Sequence, residues 1–198
     1  MRSLSRFIKR EYAELRNGPR RRDLQSQLGR YFGRPVVLQR AGSRGRDSIF
    51  LVLDKAIVVG ALRLCNPYLR RKPLQTDMPF TTLSDQLRLQ REWDCYTRGA
   101  KANLTPSPLW RDHDALMCEF LPGTRLSTLL AQEPERFWAL MCRASKTLAT
   151  LHDLGITHMD ASLANMILDA DETVCRLIDF EYGPPSKSVV NLIFSTQG

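Results

Sequence analysis

Asp160 and Asn165 stand five positions apart in the run His158-Met159-Asp160-Ala161-Ser162-Leu163-Ala164-Asn165, and Asp179-Phe180-Glu181 begins fourteen residues after Asn165. Two acids and an amide at that spacing, the first pair on one loop and the last on the turn after the next strands, can converge on a Mg-nucleotide. One carboxylate would orient an attacking hydroxyl. The other two side chains offer the carboxylate and amide oxygens that a hard cation prefers while it keeps part of its water shell. Each residue type also has a plainer use. Asp and Asn are ordinary turn formers, a His can hydrogen-bond inside a core, and an Asp can cap a strand end.

The flanking sequence predicts the elements that would position these groups. Leu140, Met141, Ala144, Leu148, Leu151 and Leu154 recur at helical spacing over 137–154, and Gly155 supplies a stop. The apolar runs 166–168 and 174–178, separated by Asp169-Ala170-Asp171-Glu172, predict a hairpin between the two acidic loops. The order is helix, loop, hairpin, loop.

These residues in this order resemble the protein-kinase-like superfamily, whose catalytic loop reads H-x-D-x-x-x-x-N and whose metal loop begins D-F. The similarity is to its small-molecule branch. His-Met-Asp stands where protein kinases carry His-Arg-Asp, and Asp179-Phe180-Glu181-Tyr182 resembles the Asp-Phe-Glu-Tyr of choline and ethanolamine kinases. Sugar and lipopolysaccharide-core kinases are similar in style. The resemblance implies an α+β fold of two lobes, a small antiparallel-sheet lobe and a minimal, mainly helical second lobe. It also implies Asp160 as catalytic base, Asn165 and Asp179 as Mg ligands, and His158 as the keeper of the loop's shape.

On that pattern residues 1–34 form a basic helical extension, 35–121 the N-terminal lobe and 122–198 the C-terminal lobe. The runs 36–39, 48–53 and 56–64 predict three antiparallel strands. Gly42, Ser43 and Gly45 fall in the intervening turn, 41–48, where kinase-like proteins have a glycine-rich phosphate loop. Glycines allow close backbone approach, and Ser43 and nearby arginines can contact phosphate oxygens; a plain hairpin turn reads equally well. The third strand is expected to deliver a phosphate-binding lysine, yet the aligned residue is Arg63, with Lys55 a poorer candidate in the preceding turn. Arginine keeps the charge but presents a planar fork, so either the pocket is built around Arg63 or phosphate binding is impaired.

A helix is expected over 83–99, with Leu87, Leu89, Trp93 and Tyr96 apolar. The resemblance makes Glu92 the partner of Arg63; a surface glutamate beside Arg88 or Arg91 is the alternative. The segment 114–123 reads as a strand ending in a Pro-Gly turn and resembles the hinge between lobes, where the backbone at Glu119 and Leu121 would pair with adenine. A helix is expected over 126–131, and Glu133-Pro134-Glu135 opens the next one.

Composition bounds the remaining choices. A chain of 198 residues, 43% apolar and 25% charged, is globular, with room for one domain or two small lobes. No apolar run approaches the roughly 20 residues of a membrane span. Residues 1–22 carry basic side chains throughout and lack the apolar stretch of about 7–15 residues found in a signal peptide, so a cytoplasmic location is expected. Five cysteines, at 65, 95, 118, 142 and 175, form no C-x-x-C pair; they read as reduced residues, and a zinc site is disfavoured.

Charge is uneven. Residues 1–72 hold 18 Lys and Arg against 5 Asp and Glu, whereas 73–198 hold 11 against 16. Basic clusters include Arg20-Arg21-Arg22 and Arg70-Arg71-Lys72. The first helix candidate sets Leu4, Phe7, Ile8, Tyr12 and Leu15 on one side, with Arg2, Arg6, Lys9, Arg10 and Arg16 around them. Such a segment can lie on an anionic membrane surface, where each basic residue contributes about 1 kcal/mol, or pack as an ordinary solvated helix. A pI of 9.6 permits nucleic-acid binding, but zinc-finger spacing, an RNA-recognition aromatic signature and a helix-turn-helix pattern are all lacking.

Only 17 residues follow Glu181, with no Ala-Pro-Glu signature, which disfavours a protein substrate in the usual groove. Residues 186–198 are expected to be poorly ordered. The reading is an ATP- and Mg-dependent phosphotransferase acting on a hydroxyl of a small molecule or lipid-linked sugar, with lipopolysaccharide core sugars first among acceptors. One alternative is a catalytically weak, nucleotide-binding scaffold of the pseudokinase kind, for which Arg63 and the short tail speak. The other is a basic adaptor for anionic membrane or nucleic acid.

Overall fold

The β-branched and apolar runs near the N-terminus form strands whose alternate residues share a face, the two-residue period that extended backbone imposes. They are β1 (Val37–Arg44), β2 (Asp47–Asp54) and β3 (Ile57–Cys65), joined in antiparallel register. β5 (Ala115–Cys118) adds antiparallel to β3, and β4 (Pro108–Arg111) completes a five-stranded sheet of order β1-β2-β3-β5-β4. The computed structural model describes residues 2–69 and 83–182; Arg70-Arg71-Lys72 and the tail 186–198 lie outside the described residues. The fold is α+β, and the chain divides into two units, residues 1–74 with 109–120, and residues 75–108 with 121–198.

In the first unit, α1 (Arg2–Arg16) and α2 (Gly18–Phe32) precede the sheet. α2 opens on Pro19, whose fixed φ suits a first helical turn, and closes on Gly33 in the left-handed region at φ 65°. Leu24 and Leu28, one turn apart, join Val36, Leu38, Phe50, Val52, Leu62, Leu64, Ala115 and Met117 in one buried cluster. The basic segment 1–34 therefore supplies part of this unit's own core.

The turn expected over 41–48 is shorter than that. β1 runs to Arg44, Ser43 pairs with Ser48, and only Gly45-Arg46 turn the chain. Gly42 sits at a bulge with φ 145°, and Gly45 has φ 57°. The other hairpin is strained. Lys55 and Ala56 carry φ 47° and 75° in a two-residue turn that usually takes Asn-Gly. Left-handed backbone costs an ordinary residue about 1–2 kcal/mol, so Ala56→Gly is expected to stabilise the protein by about 1 kcal/mol. Thermal denaturation should then show a Tm rise of about 2–4 °C; an unchanged or lower Tm would mean this turn is not held as described.

The second unit comprises α3 (Asp85–Gly99), α4 (Leu126–Gln132), α5 (Phe137–Asp153) and a sheet of order β6-β7-β8, formed by β6 (Gly123–Arg125), β7 (Met166–Asp169) and β8 (Cys175–Leu177). Ser84 caps α3 by accepting the Leu87 N–H. α5 ends as its sequence foretold. Gly155, at φ 65°, donates to His152 O, and Ile156 donates to Leu151 O, the paired bonds that satisfy a helix's last carbonyls. Pro122-Gly123, expected as a turn, instead leads into β6, which pairs with β7 so closely that a Cβ at Gly123 would collide with the Leu168 carbonyl. Leu126, Leu140, Leu151, Ile156, Met166, Leu168, Leu177 and Phe180 are among the buried apolar residues of this unit. Among the described residues no helix is long and apolar enough to cross a membrane.

Candidate functional site

The loop after α5 is held in shape by its own side chains. His158 is buried; its Nε2 lies 2.9 Å from Ile178 O, and its Nδ1 lies 3.3 Å from the Asp160 amide nitrogen. A carbonyl can only accept and an amide N–H can only donate, so the ring is neutral with its proton on Nε2. Burial is the main influence on its pKa and pushes it down, against the opposing pull of the Ile178 carbonyl, Asp179 and Asp160.

That has a measurable consequence. A base whose pKa is depressed by folding takes up protons more readily when unfolded, so stability is present above the unfolded value of about 6.5 and is lost as pH falls below it. Between pH 7 and 5.5 the parent should lose more stability than His158→Gln. Urea melts at the two pH values test this, and parallel losses would remove His158 as the cause.

Asn165 is the next fixed point. Its Nδ2 donates to Asp160 O at 2.9 Å and to Asp160 Oδ2 at 3.2 Å, so the backbone and the carboxylate of residue 160 are both tied to one amide. Asn165 is fully buried, and its Oδ1 has no hydrogen-bond partner among the described residues. An unsatisfied buried acceptor costs about 1–3 kcal/mol, which an incoming electropositive group would recover. The Asn165 carbonyl accepts from Ile178 N at 2.9 Å, and this bond sets the residue just before Asp179 against the loop that follows α5.

Asp179 is buried in left-handed backbone at φ 75°. Its N–H donates to the Tyr96 hydroxyl at 3.2 Å, and that hydroxyl donates to Glu92 Oε1 at 2.7 Å. The Phe180 ring packs on His158, with centroids 4.4 Å apart, and edge-on to Tyr96 at 5.8 Å. α3 grips the same loops with two arginines. Arg88 Nη1 lies 3.4 Å from Glu181 Oε2; Arg91 donates to Tyr182 O at 2.6 Å and to Thr157 O at 2.7 Å. Within the second unit, the structure thus brings together Asp160, His158, Asn165, Asp179 and Glu92.

Glu92 is buried, so the alternative of a surface glutamate falls away. Leu121 also belongs to this unit, just before β6. The first unit holds Gly42, Ser43, Gly45, Arg63 and Glu119. There Arg63 Nη1 lies 3.6 Å from Asp47 Oδ2, and both side chains are largely buried. Glu119 directly follows β5. Cys175 is no candidate thiolate, because burial pushes its thiol up to about 11.

Sequence reading passed over Tyr96, Arg88 and Arg91 as binders of the loops around residues 157 and 179–182. Their spacing on α3, one turn or less on either side of Glu92, was the available signal. It also passed over Asp112, His113 and Asp114, whose ligand atoms lie close enough to share a metal ion. Arg20 of α2 already occupies that place, donating to Asp114 Oδ2 at 2.9 Å and to Asp112 Oδ2 at 2.5 Å. Burial would raise the Asp112 carboxyl, but the hydrogen bonds from Arg20 and His113 outweigh it and hold the group well below the usual carboxylate range. The cluster is a charge-compensated tie between α2 and the β4–β5 connection. No protein-family model matches the chain, and no curated protein is significantly similar to it.

Proposed function

We propose that this protein is an ATP- and Mg-dependent phosphotransferase of two-lobed, protein-kinase-like architecture, acting on a hydroxyl of a small molecule or lipid-linked sugar in the cytoplasm. One observation carries the reading: Asn165, wholly buried, commits its NH2 group to Asp160 and leaves its carbonyl oxygen without a partner among the described residues. An amide oxygen presented this way, on a loop hydrogen-bonded to the residue before a buried Asp, fits a hard oxygen-seeking cation and offers nothing to a soft one. Asn165 and Asp179 would hold Mg, which when bound supplies charge neutralisation of the phosphates.

Asp160 uses Oδ2 toward Asn165; its other oxygen would take the acceptor hydroxyl. As the acceptor oxygen bonds to the γ-phosphorus, the bond to the bridging β–γ oxygen breaks, ADP leaves, and the hydroxyl proton passes to Asp160. His158 and Tyr96 fix the two loops in place, so the groups need little reorganisation at the moment of reaction. Gly42, Ser43, Gly45, Arg63 and the backbone at Glu119 and Leu121 remain the proposed nucleotide contacts.

A scaffold that binds nucleotide without turnover is the second reading, and Arg63 standing beside Asp47 is what favours it. A carboxylate neighbour lowers the charge that Arg63 could offer a phosphate. Screening hydroxyl acceptors with γ-labelled ATP separates the two. Label transfer that depends on Mg and disappears in Asp160→Asn supports the phosphotransferase; binding with no transfer to any acceptor class supports the scaffold.

A further inference from the structure

α1 is mounted with the usual polarity of a packed amphipathic helix reversed. Its inward side is small and polar. Ala13 and Glu14 are buried, as is Asn17 just beyond the helix. Glu14 Oε1 accepts from Ser48 Oγ at 2.8 Å, and Asn66 Nδ2 donates to that same Oγ at 3.1 Å and to Ala13 O at 3.4 Å. These buried bonds hold the helix against β2 and the end of β3, and so fix which side faces out.

The outward side is apolar. Leu4, Phe7, Ile8, Tyr12 and Leu15 are 63%, 61%, 57%, 61% and 76% exposed. At 3.6 residues per turn these five fall in a single stripe along the helix. A run of large apolar side chains is rarely left to water without an external use.

The charge beside the stripe says what that use is. Lys9, Arg10 and Arg16 of α1 and Arg22 of α2 are exposed, and the Arg16 guanidinium lies 4.3 Å from the ring centre of the half-exposed Tyr68. The helix's two acids do not offset them. Glu14 is buried in the network just described, and Glu11 is paired with Arg40 at 2.8 Å. An apolar stripe flanked by cations, and stripped of competing anions, matches the acyl boundary and phosphates of an anionic bilayer. A nucleic acid would use the cations but not the stripe.

We propose that α1 docks the first unit on an anionic lipid surface, with Leu4, Phe7, Ile8, Tyr12 and Leu15 inserted at the level of the headgroups. Because the inward side of α1 belongs to the core, truncation would confuse docking with folding, whereas substitutions on the exposed stripe would not. The test is sedimentation of the full-length chain with phosphatidylcholine vesicles, with and without roughly 30 mol % phosphatidylglycerol. The parent should sediment with the anionic vesicles and at least tenfold less with the neutral ones. Phe7→Ser with Leu15→Ser should weaken that binding about a hundredfold with Tm unchanged, and Lys9→Glu with Arg10→Glu about tenfold or more.

Three results overturn the proposal. They are a parent that stays in solution with anionic vesicles; a serine variant that binds as tightly as the parent, which marks simple polyanion attraction; and a dimer in light scattering that the serine substitutions dissociate, which makes a second copy the occupant. None of these touches the phosphotransfer reading, which is tested without vesicles, by Mg-ATP binding and label transfer to hydroxyl acceptors.

Discussion

Asp160→Asn is expected to lower kcat by about 10²–10⁴ while leaving Tm and Mg-ATP affinity close to the parent's. The substitution keeps the size of the side chain and its place beside Asn165. The stronger of the two bonds from Asn165 Nδ2, 2.9 Å to the backbone carbonyl at 160, does not involve the side chain at all. What disappears is a group able to accept the proton of the attacking hydroxyl. If kcat changes less than fivefold with a confirmed acceptor, Asp160 is not the base.

The second large effect is at Asp179, where two substitutions separate backbone from chemistry. At φ 75° the residue occupies the left-handed region, which Asn and Asp tolerate better than Ala. One of its anchors is a backbone N–H to the Tyr96 hydroxyl, which does not depend on the side chain. Asp179→Asn should therefore keep the stability of the parent, and Asp179→Ala should lose about 1 kcal/mol. Both should lose turnover by about 10²–10³ through weakened metal binding, with more Mg needed to reach half-maximal rate in the Asn variant. Equal activity of Asp179→Asn at limiting Mg would show that this carboxylate is not a ligand.

Much of the second unit was legible because its signals are local. Spacing from Leu140 to Leu151 and the Gly155 stop mark α5, and Asp169, which accepts from Val174 N at 2.9 Å, marks the hairpin that separates the two acidic loops. The three strands β1 to β3 were legible for the same reason. Elements that depend on distant partners were not. β6 hides behind a Pro-Gly pair that reads as a turn until the Leu168 carbonyl is known to lie against Gly123. α2 shows Leu24 and Leu28 among arginines and polar residues, with Tyr31 and Phe32 only at its very end, too sparse a stripe to announce a core helix.

Periodicity also tells which side chains share a face and not which face the fold covers. The stripe on α1 was evident from the sequence, but its outward orientation rests on the Glu14–Ser48–Asn66 network, whose members are remote in the chain. In the same way, Glu92 and Tyr96 are recognisable as one face of α3. Only the fold shows that the Tyr96 hydroxyl, held by Glu92, meets the amide of Asp179.

Isothermal titration of Mg-ATP into the full-length protein tests the central claim most directly, run beside a titration of ATP in chelator and one into Asp179→Asn. A Mg site formed by Asn165 and Asp179 predicts one nucleotide bound per chain with Mg, with binding weakened at least tenfold both by chelation and by the substitution. No binding of Mg-ATP at millimolar concentration, or the same affinity in all three titrations, would contradict it.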